Sequence, residues 1–169
     1  MQSIPKFFPT LCLGLALFFS SLSANAGPPK GWTFVDFESG LKQAAADGRR
    51  VFVYFGRAGC PTCARVNEES FSNKELKAKL ASTYVLAYVD TESGKRLRLP
   101  TGERLTEMDL GLRYRVSGTP YFFFLEPGGE KIISVPGYVT AKQFFGLDLF
   151  VEKEIYKRQS LEEFLSGKS

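Results

Sequence analysis

Cys60-Pro61-Thr62-Cys63 follows an apolar run, Val51 to Phe55, across a short loop, Gly56-Arg57-Ala58-Gly59. Five consecutive apolar residues fit a strand buried on both faces. The polar stretch after Cys63 suits a helix, so the chain must pass from a buried strand into a helix within a few residues. That passage puts two cysteines at a helix start. The unpaired N–H groups and the positive dipole end there favour a thiolate over a thiol at Cys60. Pro61 suits the first helical turn, where its missing N–H costs nothing. Cys63 lies three residues on and returns to the same helix face. This spacing makes Cys60 the accessible attacking thiol and Cys63 the covered resolving thiol.

Other uses of two nearby cysteines fit less well. A structural zinc site needs four Cys or His ligands. The chain has no histidine and one further cysteine, Cys12. Haem attachment needs a histidine where Ala64 stands. A purely structural disulfide stays open, although so short a loop constrains the unfolded chain little.

Residues Met1 to Ala26 read as a secretory signal. Lys6 is the basic head, Leu11 to Leu22 is apolar but short for a bilayer span, and Ala24-Asn25-Ala26 is a small-x-small cleavage site. The other reading is a retained N-terminal anchor. Cys12 lies inside the apolar segment rather than after it, which argues against lipidation. Export implies an oxidising compartment, the periplasm in a Gram-negative host. Residues 27–169 then form one domain with no further membrane span. Loss of Lys6 takes one from a net charge of +4. That balance is mildly basic and is not the footprint of a nucleic-acid binder. Arg96, Arg98 and Arg104 read as a solvated loop.

Gly27 to Gly31 reads as an extended leader, and Trp32 to Asp36 as a surface segment or short edge strand. Phe37, Leu41, Ala44 and Ala45 recur at helical spacing, with Asp36 to cap that helix and Gly48 to end it. Ser72-x-x-Glu75 has the form of a capping box opening a helix from about Asn73 to Ser82. Tyr84 to Val89 is a second central strand. Asp90 to Glu103 is a long loop or a hairpin. Thr106-x-x-Asp109 starts a helix with Leu105, Met108 and Leu112 on one face. Tyr121 to Leu125 is a strand, Pro127-Gly128-Gly129 a turn, and Lys131 to Val135 the returning arm. Thr140-x-x-Gln143 caps a long helix whose inward stripe is Phe144, Leu147, Val151 and Ile155. Ser160-x-x-Glu163 opens a last short helix.

Strands alternating with helices and ending in a hairpin argue for an α/β sheet. With Cys60-Pro61-Thr62-Cys63 after the first central strand and Gly118-Thr119-Pro120 before the hairpin, the chain resembles the thioredoxin superfamily from about Asp36 to Tyr156. It looks like the exported, periplasmic members, nearest to those associated with bacterial sulfur oxidation. The resemblance implies a thioredoxin-like fold: a central mixed sheet flanked by helices, with an insert before the helix that precedes the cis-Pro loop. It also implies a cis Pro120 against the dithiol, with Thr119 offering backbone groups to an extended substrate strand beside Cys60. Two positions depart from thioredoxin itself. Tyr54 stands in the place of a buried acid, and Gly59 in the place of a tryptophan. Glu68 and Glu69 are within sequence reach of a proton-transfer role but read as solvated. Thr62 replaces the histidine frequent in strong periplasmic oxidases.

These readings give a thiol–disulfide oxidoreductase with a Cys60–Cys63 redox disulfide and no cofactor. It would reduce disulfides of exported proteins and be recharged by a membrane thiol electron donor. With no histidine to pair with Cys60, the expected potential is on the order of −200 to −270 mV. An oxidase or isomerase, a non-catalytic binding or assembly module and, less well, a peroxide reductase are the alternatives. N-terminal sequencing of exported protein is expected to begin at Gly27. A retained Met1 on membrane-bound material would overturn the export reading.

Overall fold

The computed structural model describes residues 27–167. The signal segment, Cys12 and the cleavage site after Ala26 lie outside the described residues. The apolar run becomes β2 (Arg50–Gly56), buried from Val51 to Gly56. It pairs in parallel with β3 (Tyr84–Asp90) and antiparallel with β6 (Tyr121–Leu125). β1 (Val35–Asp36) adds in parallel to the far side of β3, and β7 (Lys131–Pro136) antiparallel to β6. The result is a mixed five-stranded sheet in the order β1-β3-β2-β6-β7.

Strand alternation splits the side chains between two cores. Phe52 and Tyr54 of β2 face α2 (Pro61–Glu69), α3 (Lys74–Thr83) and α5 (Ala141–Glu152), in a cluster that includes both cysteines. Val51, Val53 and Phe55 face α1 (Phe37–Asp47) and α4 (Glu107–Arg113). The first cluster is aromatic. The Phe52 ring lies 5.1–6.4 Å from those of Phe34, Phe71, Phe122, Phe124 and Phe144. Such ring pairs add about 0.5–1.5 kcal/mol each beyond the area they bury.

Helix caps follow the sequence closely. The Asp36 side chain accepts from Ser39 N–H, and Gly48 ends α1 at φ 67°. Thr106, Thr140 and Ser160 form complete capping boxes, the last opening α6 (Leu161–Leu165).

Four expectations need correction. The α3 cap is Asn73, whose side chain accepts from Leu76 N–H at 2.8 Å, whereas the Ser72 hydroxyl turns back to the Glu69 carbonyl. On α4 the buried residues are Glu107, Leu110 and Gly111, while Met108 is 46% and Leu112 71% exposed. The segment before α4 covers its first turn, with Glu107 N–H donating to the Lys95 carbonyl, and so rotates the inward face. Burial pushes the Glu107 carboxyl above its usual range. The segment from Gly27 to Gly31 is a turn rather than an extended leader. Trp32 N–H reaches Pro29 O, and Gly31 takes φ 77°. Ile155 lies beyond α5, in a single 3₁₀ turn.

The Asp90–Glu103 stretch supplies the first arm and the turn of a hairpin whose second arm begins just beyond it, at Arg104. β4 (Arg96–Arg98) pairs antiparallel with β5 (Arg104–Thr106), apart from the main sheet, with Leu97 buried beneath it.

Phe52→Ala is expected to cost about 3–5 kcal/mol in urea unfolding. Leu112→Ala is expected to stay within about 0.5 kcal/mol. A comparable loss at Leu112 would show that the outer face of α4 is packed.

Candidate functional site

The site lies where β2 gives way to α2. Gly56 leaves the strand without a side chain because Tyr88 is too close: a Cβ there would meet the Tyr88 hydroxyl at 2.9 Å. Its carbonyl accepts from Thr91 N–H at 2.9 Å, which ties the loop to the end of β3. Gly59 then takes φ 66°, a left-handed conformation that disfavours other residues. Arg57 pairs with Glu92 across 3.4 Å and donates to the Ala58 carbonyl.

Cys60 is the N-cap of α2 and Pro61 opens the helix. Cys63 N–H donates to the Cys60 Sγ at 3.1 Å. A sulfur thus occupies the acceptor place that Ser, Thr, Asp or Asn takes at other helix starts. Cys60 and Cys63 form a disulfide with their Cα atoms 5.2 Å apart. The expected contrast in exposure is slight in this oxidised form: Cys60 retains 2% and Cys63 none. The reason is the segment across the gap. The Thr119 hydroxyl donates to the Cys60 Sγ at 3.3 Å, and the Thr119 carbonyl oxygen stands 3.4 Å from the same sulfur.

The Thr119–Pro120 bond is cis and Pro120 is buried, its carbonyl accepting from Gly137 N–H. Among the described residues no backbone–backbone hydrogen bond involves Thr119. The structure therefore brings Cys60, Cys63 and Thr119 together, with Pro61, Thr62 and Pro120 as their chain neighbours. The sequence reading assigned Thr119 through its backbone alone and missed its hydroxyl. The residue type was the only available signal, since a rotamer cannot be read from spacing.

Two acids are set aside by the geometry. Glu69 is held by Arg65 at 3.0 Å and by the Tyr138 hydroxyl, and Glu68 is exposed. The Tyr138 and Arg65 hydrogen bonds hold the Glu69 carboxyl below its usual range. Tyr54 shares the core cluster with both cysteines and is fully buried. Its hydroxyl has no hydrogen-bond partner among the described residues, and burial pushes the phenol well above its ordinary range. Near neutral pH it can donate a proton in a hydrogen bond but cannot take one up as a base.

A family model described as a thioredoxin-like domain matches residues 37–147. No curated protein sequence matches the chain significantly. Among solved structures, the chain is similar to a thioredoxin-fold protein from Helicobacter pylori. That match has 22% identity over 78% of this chain and 90% of that one, with TM-score 0.62. It is also similar to a thioredoxin from Thermus thermophilus, with 28% identity over 71% and 86% and TM-score 0.58. A third likeness is to the C-terminal domain of DsbD from Neisseria meningitidis in its oxidised form, with 16% identity over 72% and 98% and TM-score 0.50. At that identity the likeness concerns the fold.

After reduction, alkylation at mildly acidic pH is expected to label Cys60 before Cys63. Thr119→Val is expected to slow that labelling about tenfold or more, the equivalent of about 1.5–3 kcal/mol for one hydrogen bond to a charged group. Preferential labelling of Cys63 would reverse the two roles.

Proposed function

The chain belongs to the thioredoxin-like domain family, and on that premise we propose that it is an exported thiol–disulfide oxidoreductase acting on disulfides of other exported proteins. The observation that carries this reading is the Cys60 sulfur as N-cap of α2, taking hydrogen bonds from Cys63 N–H and the Thr119 hydroxyl. Both donors stabilise a thiolate at Cys60.

In the proposed reaction the Cys60 thiolate attacks a sulfur of the partner's disulfide. A mixed disulfide forms and one partner thiolate leaves. Cys63 then gives its proton to the departed partner thiolate or to solvent, and its thiolate attacks the Cys60 sulfur, closing the Cys60–Cys63 disulfide and expelling the second partner thiolate. Two electrons pass from the dithiol to the partner, whose thiolates take up protons. The Thr119 backbone groups, which no backbone hydrogen bond takes up among the described residues, are the proposed rail for an extended substrate strand. A membrane thiol electron donor is the proposed source of new electrons. Among the described residues no helix is long and apolar enough to cross a membrane. The likeness to sulfur-oxidation-associated relatives belongs to this reading and names no particular partner.

Direction is a question of magnitude. The gap between potentials of about −270 and −120 mV corresponds to about 7 kcal/mol of thiolate stabilisation. The Cys63 N–H comes with any helix start, so the Thr119 hydroxyl is the addition peculiar to this site. A hydrogen bond to a charged group contributes about 1.5–3 kcal/mol, well under half the gap. The Thr119 carbonyl faces the same sulfur and opposes an anion there. The balance favours the reducing side.

Turnover of insulin disulfides with dithiothreitol as donor is expected for the wild type and absent for Cys60→Ser. No turnover by the wild type would leave a non-catalytic binding module. Acid-quenched thiol trapping in the native compartment is expected to find a substantial reduced fraction. Almost complete oxidation, with a potential near −120 mV in glutathione buffers, would replace the reductase by an oxidase.

A further inference from the structure

Beyond the dithiol, we propose that the outer face of the β4–β5 hairpin, with the groove it forms against α1, docks an acidic segment of a partner protein. The register of the hairpin carries the argument. Arg98 stands directly opposite Arg104, and Arg96 opposite Thr106. Directly opposed residues share a face, and so do residues two apart on one strand. Arg96, Arg98 and Arg104 therefore crowd the outer face of a two-stranded ribbon, while Leu97 is buried on the other. Like charges directly opposite one another destabilise a strand pair.

Among the described residues no ion pair relieves that repulsion. None of the three arginines takes part in an ion pair, whereas Arg50, Arg57, Arg65 and Arg113 all do. A groove of about 370 Å³ opens between Arg96, Leu97, Arg98, Arg104 and Glu38. Glu38 is the one carboxylate in it, and it is already engaged by Lys42 Nζ at 2.6 Å and the Arg98 backbone N–H at 2.7 Å. The three guanidinium groups thus present donors to a groove whose one carboxylate is already engaged elsewhere. Guanidinium forks pair best with carboxylate or phosphate oxygens.

The neighbouring surface selects between those anions. A second groove, of about 150 Å³, runs on from Glu38 and Arg98 over Leu41, Ala45, Leu99 and Pro100. An apolar floor beside a basic rim suits a peptide that alternates carboxylates with apolar side chains. A nucleic acid would gain little from the floor, and a basic face of three residues on a chain of net charge +4 is small for a phosphate backbone. An anionic membrane would need a longer basic stretch than one short hairpin.

The test uses the protein lacking residues 1–26, either wild type or carrying Arg96→Ser, Arg98→Ser and Arg104→Ser together. The probe is a fluorescent peptide alternating Glu with Leu, and its control has Gln for Glu. The wild type is expected to bind the Glu peptide at least about tenfold more tightly than the Gln peptide, with affinity falling as salt rises. The triple variant is expected to lose that preference while reducing insulin at the wild-type rate. It is also expected to melt no lower than the wild type, because a repulsion has been removed. Arg104→Ser alone provides a milder variant and is expected to lose part of the preference. Equal binding of the Glu peptide by wild type and triple variant would overturn the proposal. So would tighter binding of a single-stranded oligonucleotide or of phosphatidylglycerol vesicles than of the peptide. Loss of insulin reduction in the wild type, with peptide binding intact, would count against the dithiol reading and leave the docking surface standing.

Discussion

β2 is hydrogen-bonded on both edges and buried on both faces, and the position of the dithiol follows from that double constraint. Its pairing to β3 ends at Gly56 opposite Asp90, and its pairing to β6 begins at Phe55 opposite Tyr121. Three chain segments therefore reach the same edge of the sheet together. One carries Cys60, one begins the hairpin insert, and one carries Thr119. A slip of one residue in the β2–β6 pairing would move Thr119 away from Cys60 and turn Phe122 and Phe124 to the opposite face of the sheet. The aromatic cluster opposes such a slip, since Phe52, Phe122 and Phe124 pack on one another across the β2–β6 pair. Core packing thereby fixes an approach of 3.3 Å between side chains 59 positions apart in the chain.

The two sulfurs sit in unlike surroundings although both are nearly covered. Cys60 faces polar groups: an N–H, a hydroxyl and a carbonyl. Cys63 faces inward, in the cluster with Tyr54, Val66 and Phe122. A thiolate is stabilised by hydrogen-bond donors and penalised by apolar burial. The asymmetry therefore favours charge on Cys60 and a protonated Cys63 in the resting dithiol, so that Cys60 attacks first and Cys63 reacts only after losing its proton. Among the described residues the Tyr54 and Tyr84 hydroxyls of this cluster are buried without a hydrogen-bond partner, and a buried hydroxyl without one costs about 1–3 kcal/mol. The cluster gives up stability at those points.

Much of the fold was legible because its signals are local. The run Val51 to Phe55 marked a doubly buried strand, and the caps at Asp36, Thr106, Thr140 and Ser160 lie beside the helices they start. The failures have non-local causes. Ser72 and Asn73 are both good caps, and the turn after α2 decided between them by drawing the Ser72 hydroxyl to Glu69. Periodicity put Met108 and Leu112 inward, but α4 is too short to set its own rotation and the chain before it covers Glu107 instead. At the end of α4 the chain turns through Arg115 at φ 55°, a position where no glycine announced the turn. The cysteines were legible for the same local reason as the strand. The Thr119 hydroxyl was not, because its role depends on a partner across the sheet edge.

The insert is the part of the molecule that the sheet does not require. Its first residues are fastened to the dithiol loop, through Thr91 to the Gly56 carbonyl and through Glu92 to Arg57. Its last strand runs directly into α4, which leads to Thr119, and Glu103 pairs with Arg113 at the end of that helix. Both roots of the hairpin thus lie in the frame that holds the two halves of the site. A partner segment resting on the hairpin would be held at a fixed offset from Cys60, so that encounter with the sulfur becomes an intramolecular event. Its effective concentration would then be set by the span rather than by the partner's concentration in solution. That coupling gives a reason for the fold to keep two opposed arginines on a short exposed ribbon, where a neutral pair would be the more stable choice.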